Sequence, residues 1–151
     1  MTIRNILENL KLKNNFIDVT RSSNFTNPSA SAYNEVDFNT VISSRGNLLT
    51  LSNGKIKVGA GVDFVEVSGK IQITSAGNAV GGKNLALTLN GEMVERIMYY
   101  TDNASRNIDK VFSSKPIAVN KGDLIGVEYY GLKGDVISSG EIFTHLYVKV
   151  I

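Results

Sequence analysis

Residues 54–74, GKIKVGAGVDFVEVSGKIQIT, constrain this chain more than any other stretch. Lys55, Ile56, Lys57 and Val58 alternate polar with apolar, and Gly59-Ala60-Gly61 then lets the chain turn. In the run that follows, Val65, Val67, Ile71 and Ile73 share one parity, and Phe64, Glu66, Ser68, Lys70 and Gln72 the other. Successive strand side chains point to opposite faces, so alternation of this length predicts a half-buried strand with one face in a core. Such a strand needs a second layer to cover it, which makes it the spine of a β-sandwich.

The rest of the chain agrees. From residue 35 onward, strands are predicted at 35–43, 48–51, 55–58, 64–74, 85–89, 93–101, 111–119, 124–130 and 142–151. Between them lie the breakers Arg45-Gly46-Asn47, Ser52-Asn53-Gly54, Gly77-Asn78, Asn90-Gly91, Asn120-Lys121-Gly122-Asp123 and the glycine-rich stretch 131–140. Asn-Gly between alternating runs is a strong hairpin signal, because both turn residues must take positive φ. Many short strands and no long helix predict an all-β, two-sheet antiparallel sandwich.

The first 34 residues differ. In TIRNILENLKLK, residues 2–13, Ile3, Ile6, Leu7 and Leu10 make one apolar helical stripe. Thr2 is placed to cap the start, and Lys11 and Lys13 suit the negative end of the dipole. Three turns are marginal alone, so the helix must dock: on its own domain, with copies of itself in a short bundle, or on a larger assembly. Residues 14–34 are rich in Ser, Asn and Thr and suggest a linker or extended arm. The expected division is an attachment helix and linker over 1–34 and a head domain over 35–151.

The final stretch alternates twice over. Ile142, Thr144, Leu146, Val148 and Val150 take one face, and Phe143, His145, Tyr147, Lys149 and Ile151 the other. Two aromatics and an isoleucine are unusual on a solvated face, so this strand is expected to meet the core on one side and another subunit on the other.

The order NLLTLSNGKIKVGAG, VDFVEVSGKIQI, IAVNKGDLIGVEYYG and FTHLYVKVI, spread over about residues 35–151, resembles the jelly-roll domain shared by tumour necrosis factor and the complement heads. It resembles in particular the version found in bacteriophage virion proteins such as head fibres and tail or baseplate fibres. The resemblance implies a ten-strand, two-sheet jelly roll in a homotrimer, with the closing strand in the sheet that surrounds the threefold axis. Phe64, Glu66, Lys70, Phe143, His145, Tyr147 and Ile151 would then be trimer-interface residues. Ile3, Ile6, Leu7 and Leu10 would attach the head to capsid or tail proteins through residues 1–34. The implied role is a head fibre or decoration protein on the virion surface, displayed for host adhesion. A tail or baseplate knob is the alternative, and a secreted cytokine- or complement-like ligand a more distant one.

The residues argue against catalysis. His145 is the single histidine, there is no cysteine, and no nucleophile elbow surrounds Ser138 or Ser139. Gly59-Ala60-Gly61 opens no helix and so is not a dinucleotide fingerprint. Asp102, Asn103 and Asp109 could offer oxygens to calcium, but an ordinary polar turn explains them, and no metal or cofactor is expected. The net charge of +2 is scattered, which speaks against nucleic acid. No apolar run approaches the length of a membrane span, and no signal-peptide core interrupts the polar start, so synthesis in the host cytoplasm is expected. Tyr100 and Tyr130 are candidates for contact with a host cell-surface glycan, with Lys133 and Asp135 beside them on the 131–140 loop.

Overall fold

The computed structural model describes residues 2–76, 82–100 and 107–151. One helix, α1 (Ile3–Lys13), precedes fourteen strand segments among these residues. The strands are β1 (Phe16–Thr20), β2 (Phe25–Thr26), β3 (Asn34–Val36), β4 (Thr40–Arg45), β5 (Leu49–Ser52), β6 (Lys55–Val58) and β7 (Phe64–Thr74). They continue with β8 (Lys83–Leu89), β9 (Glu92–Tyr100), β10 (Asn107–Ser113), β11 (Ile117–Ala118), β12 (Leu124–Tyr130), β13 (Val136–Ile137) and β14 (His145–Val150).

All the pairings are antiparallel and fall into two sheets. In the front sheet β7 is central. It pairs with β14 and β13 along one edge and with β10 and β11 along the other. β1 and β2 continue outward from β14 and β13, and β4 lies beyond β1. The eight front strands thus occupy five lanes: β4, β1 with β2, β14 with β13, β7, and β10 with β11. The six back strands also make five lanes: β5, β6 with β3, β12, β8 and β9. Ten lanes in two sheets is the expected jelly roll.

The alternation in β7 works as predicted. Val65, Val67, Ile71 and Ile73 are fully buried and pack with Leu85, Leu87, Ile125, Val127 and Tyr129 from the back sheet. Each such side chain contributes roughly 1.5–3 kcal/mol through burial. Gly69 shares their parity, and a Cβ there would come within 2.4 Å of the His145 carbonyl oxygen and 3.1 Å of the Phe112 ring. The missing side chain lets Phe112, opposite in register, lean over the strand. Both predicted Asn-Gly turns form with positive φ at each residue: 48° and 80° at Asn53-Gly54, and 56° and 84° at Asn90-Gly91.

Three segments depart from expectation. Residues 35–43 are not one strand: Val36 pairs with Val127 in the back sheet, whereas Thr40 pairs with Thr20 in the front. Buried Phe38 occupies the crossing, where Phe38 N donates to Gly54 O and Asn39 N to Thr20 O. Residues 111–119 split because Pro116 has no N–H for the ladder. Ser114 fills the gap, its N–H donating to Val67 O and its hydroxyl oxygen accepting from Val67 N. The closing strand starts at His145 rather than Ile142, because residues 141–143 turn on Gly140, whose carbonyl accepts from Phe143 N and Thr144 N.

The arm expected over 14–34 is also different. β1 lies within the front sheet, between β14 and β4, and buries Ile17 and Val19. Strand pairing therefore reaches well before residue 35. Arg21 is buried, pairs with Asp37 at 2.6 Å and stacks on Phe25. Asn27 is buried too, and its amide donates to the carbonyls of Ser29, Gly131 and Leu132. The Ser- and Asn-rich composition signals side chains that satisfy backbone groups, not a solvated tether.

Candidate assembly and recognition faces

The outward face of the front sheet is built from the second parity of each strand. β7 supplies Phe64, Glu66, Ser68, Lys70 and Gln72, and β14 supplies His145, Tyr147 and Lys149. Register places Lys70 opposite His145, Ser68 opposite Tyr147 and Glu66 opposite Lys149. Ile151 N donates to Phe64 O at 3.2 Å, so these two apolar residues end the face together. Directly opposed side chains in an antiparallel pair share a face, and six of the seven expected interface residues therefore come together here. Phe143 does not join them, since it lies in the turn before β14.

β1 completes the face with residues that the arm reading missed. Phe16 stacks on Tyr147 with centroids 5.5 Å apart, and Asp18 Oδ1 lies 3.2 Å from His145 Nδ1. The signal was present in Phe16-Ile17-Asp18-Val19, which alternates with period two. Lys149 pairs with Glu66 at 3.3 Å, and Lys70 approaches Asp109 at 3.8 Å. Around these charges Phe64 remains 47% exposed and Val111 71% exposed. The face is a belt of locally paired charges flanked by uncovered apolar groups.

Helix α1 begins as predicted: the Thr2 hydroxyl oxygen accepts from Asn5 N at 3.3 Å. Its root is fixed, because Asn15 N donates to Leu12 O, Val150 N donates to Asn15 O, and Leu12 packs against the core. Beyond that root Ile3, Ile6, Leu7 and Leu10 are all exposed.

The proposed recognition residues separate. Tyr130 is half-buried and its ring lies 5.4 Å from Tyr33. Lys133 is exposed on the turn after β12. The Tyr100 side chain lies outside the described residues, as do Asp102 and Asn103. Its neighbour Tyr99 is exposed and lies under the Arg96 guanidinium, 5.4 Å from the ring centroid. Asp135 is a correction: it is 0% exposed and cannot meet a ligand at the surface. Its oxygens accept from Tyr129 Oη, Leu132 N and Ala76 N, and Lys83 Nζ is 3.6 Å away. A carboxylate with this many internal donors fastens the loop to the sandwich. Burial, then this hydrogen bond and the negative charge, push the Tyr129 phenol far above its ordinary range.

On the back sheet's outward face, Lys55 pairs with Glu35 at 2.7 Å beside Glu128. Burial raises Glu128 above the usual carboxylate range; Lys55 opposes that shift and Glu35 adds to it. Among the described residues no group of three or more His, Cys, Asp or Glu side chains could hold a metal ion, and no helix is long and apolar enough to cross a membrane. Asp109 is engaged by Gln72 Nε2 at 3.0 Å.

The fold has clear relatives among solved structures. Murine APRIL at pH 8.5 superposes with a TM-score of 0.68 at 13% identity, covering 91% of this chain and 98% of that one. Murine APRIL at pH 5.0 gives 0.67 at 12% identity with the same coverage. Eiger TNF from S. frugiperda gives 0.58 at 13% identity, covering 91% and 93%. The chain is therefore a TNF-like jelly roll in fold. No protein-family model matches the sequence, and no curated protein matches it.

Proposed function

We propose that this chain is a non-enzymatic, homotrimeric recognition head, with its front sheets packed around a threefold axis. The observation that carries this reading is the outward face of β7, β14 and β1. There Phe64, the Phe16–Tyr147 pair and Ile151 sit among charges already paired within the protomer. Local pairing lowers the desolvation cost of bringing such a face against a copy of itself, and the apolar groups supply the driving force.

The finer assignment is a bacteriophage head fibre or capsid decoration protein, or alternatively a tail or baseplate knob. The exposed stripe of Ile3, Ile6, Leu7 and Leu10, carried on a fixed root, supports its use as a mount on capsid or tail proteins. Three heads held together would strengthen weak contacts with a host surface through avidity. A secreted, cytokine-like ligand is the second reading, favoured by the likeness to Eiger TNF.

Light scattering at micromolar concentration tests the trimer, and a monomer there overturns the axial packing. Removing residues 2–13 tests the mount; a cut at residue 34 would also delete β1 from the middle of the front sheet. In the virion reading the truncated chain stays trimeric and is lost from purified particles. Retention on particles overturns the mount.

A further inference from the structure

The β5–β6 hairpin and the distant turn at Lys121-Gly122 meet at one edge of the back sheet and enclose a cleft of about 360 Å³. Asn47, Leu48 and Thr50 come from the approach to β5 and from β5 itself, Lys57 and Val58 from β6, and Lys121 from the turn before β12. Backbone bonds hold the three together. Gly59 N donates to Leu48 O at 2.7 Å, Val58 N to Asp123 O at 2.9 Å, and Gly122 N to Val58 O at 2.8 Å. The cleft is thus formed before any ligand arrives.

Its charge is one-sided. Two lysines line it and no carboxylate does. Lys55, Lys70, Lys83 and Lys149 each have a carboxylate within 4.0 Å, whereas neither Lys57 nor Lys121 makes an ion pair among the described residues. The neighbouring Asp123 is already engaged, with one oxygen accepting from Asn90 Nδ2 and the other from Asn120 N. Thr50 and Lys57 are directly opposed in register, so hydroxyl and ammonium share a face. Leu48 supplies an apolar edge, and Val58, whose side chain is buried in the core, contributes its backbone.

We propose that this cleft binds an anionic sugar, a uronic acid or a sulfated hexose. Lys57 and Lys121 take the anionic group, the Asn47 amide and Thr50 hydroxyl take ring hydroxyls, and Leu48 lies against the ring's C–H surface. The volume is at the small end of ligand sites and suits one or two sugar rings. Nucleic acid would demand a basic stripe that this chain lacks. The cleft belongs to the back sheet, so packing the front sheets together leaves it open. The inference rests on the recognition-head reading only for the origin of the ligand.

The test is an NMR titration of the intact ¹⁵N-labelled chain at low salt with glucuronate, glucose 6-sulfate, glucose and inorganic sulfate. Saturable shifts are expected at the amides of Thr50, Lys57, Gly59 and Lys121 with the two acidic sugars, and not with glucose or sulfate. Lys57→Gln and Lys121→Gln should each weaken binding about tenfold, as loss of one charge-assisted contact does. The double variant should abolish the shifts and leave the rest of the spectrum unchanged. Overturning results are no saturable shift with either acidic sugar, equal shifts with glucose, equal shifts with sulfate, or unchanged affinity in the double variant. Sizing the same samples separates the two proposals. A trimer without these shifts overturns the cleft and leaves the head; a monomer with them overturns the head and leaves the cleft.

Discussion

The Tyr129 hydroxyl donates a 2.6 Å hydrogen bond to Asp135 Oδ2 inside the sandwich. The same carboxylate accepts from the backbone of Leu132 and Ala76 and faces Lys83, whose side chain is 4% exposed. Removing only the carboxylate strands a buried cation and three donors. Asp135→Ala should therefore destabilise the fold by about 3–5 kcal/mol. Tyr129→Phe, which deletes one hydrogen bond, should cost about 1–2 kcal/mol. Urea denaturation measures both, and equal costs would mean that Asp135 is not the hub.

Glu128 gives a pH dependence of opposite sign to the usual carboxylate. Its folded pKa lies above the ordinary carboxylate value of 4.5, chiefly through burial. Below that value both states hold the proton. Between it and the raised folded value the native state binds more protons, so stability falls as pH rises through this window. Glu128→Gln should remove that decline and stabilise the fold slightly at neutral pH. Denaturation midpoints measured across the window check it; a variant less stable at pH 7 would show that the carboxylate is a net benefit.

Asp123 has the ordinary sign. Its pKa is lowered by the hydrogen bond from Asn90 and then by that from the Asn120 backbone. The stabilisation is present above the ordinary aspartate value of 3.8 and is lost as pH falls through the lower folded value. Asn90→Ala should flatten this acid limb while removing the amide that also accepts from Leu124 N at 2.9 Å. An acid limb unchanged from the parent would count against the coupling.

Glu66 and Lys149 are both partly exposed, so their pair contributes at most about 1 kcal/mol to the protomer. On a face packed around an axis the same charges matter more. If the chain is the proposed trimer, Glu66→Lys should shift it towards monomer in sedimentation while the protomer remains folded. The swapped double variant, Glu66→Lys with Lys149→Glu, restores the pair and should recover most of the trimer. Unchanged sedimentation of the single variant would place the interface elsewhere.

Gly69 leaves no room for a methyl group between the His145 carbonyl and the Phe112 ring. Gly69→Ala should destabilise by roughly 1–3 kcal/mol through overpacking and loosening of the β7–β14 ladder. Amide exchange would then quicken at Leu146 and Val67. Phe112→Ala in the same background should recover part of the loss, because it removes one of the two clashes.

Local sequence determined the strands whose chemistry is local. The ranges of β6, β7 and β12 follow from alternation and glycine breaks, since side-chain parity is a property of a single strand. The Asn53-Gly54 and Asn90-Gly91 turns follow from backbone sterics alone, and the helix start at Thr2 from a cap three residues away. What the sequence left open depended on partners distant along the chain. Whether residues 35–43 stay in one sheet was decided by Phe38 crossing between Gly54 and Thr20. Whether 16–20 is arm or strand was decided by an open lane between β14 and β4. Asp135 looked like a loop residue for solvent because its donors come from Ala76, Leu132 and Tyr129, and no local pattern brings those together. The hairpin side of the cleft, 47–50 beside 57–58, is local, but the arrival of Lys121 against it is invisible in sequence for the same reason. Periodicity tells a residue which way to face, and only the packed fold tells it what it faces.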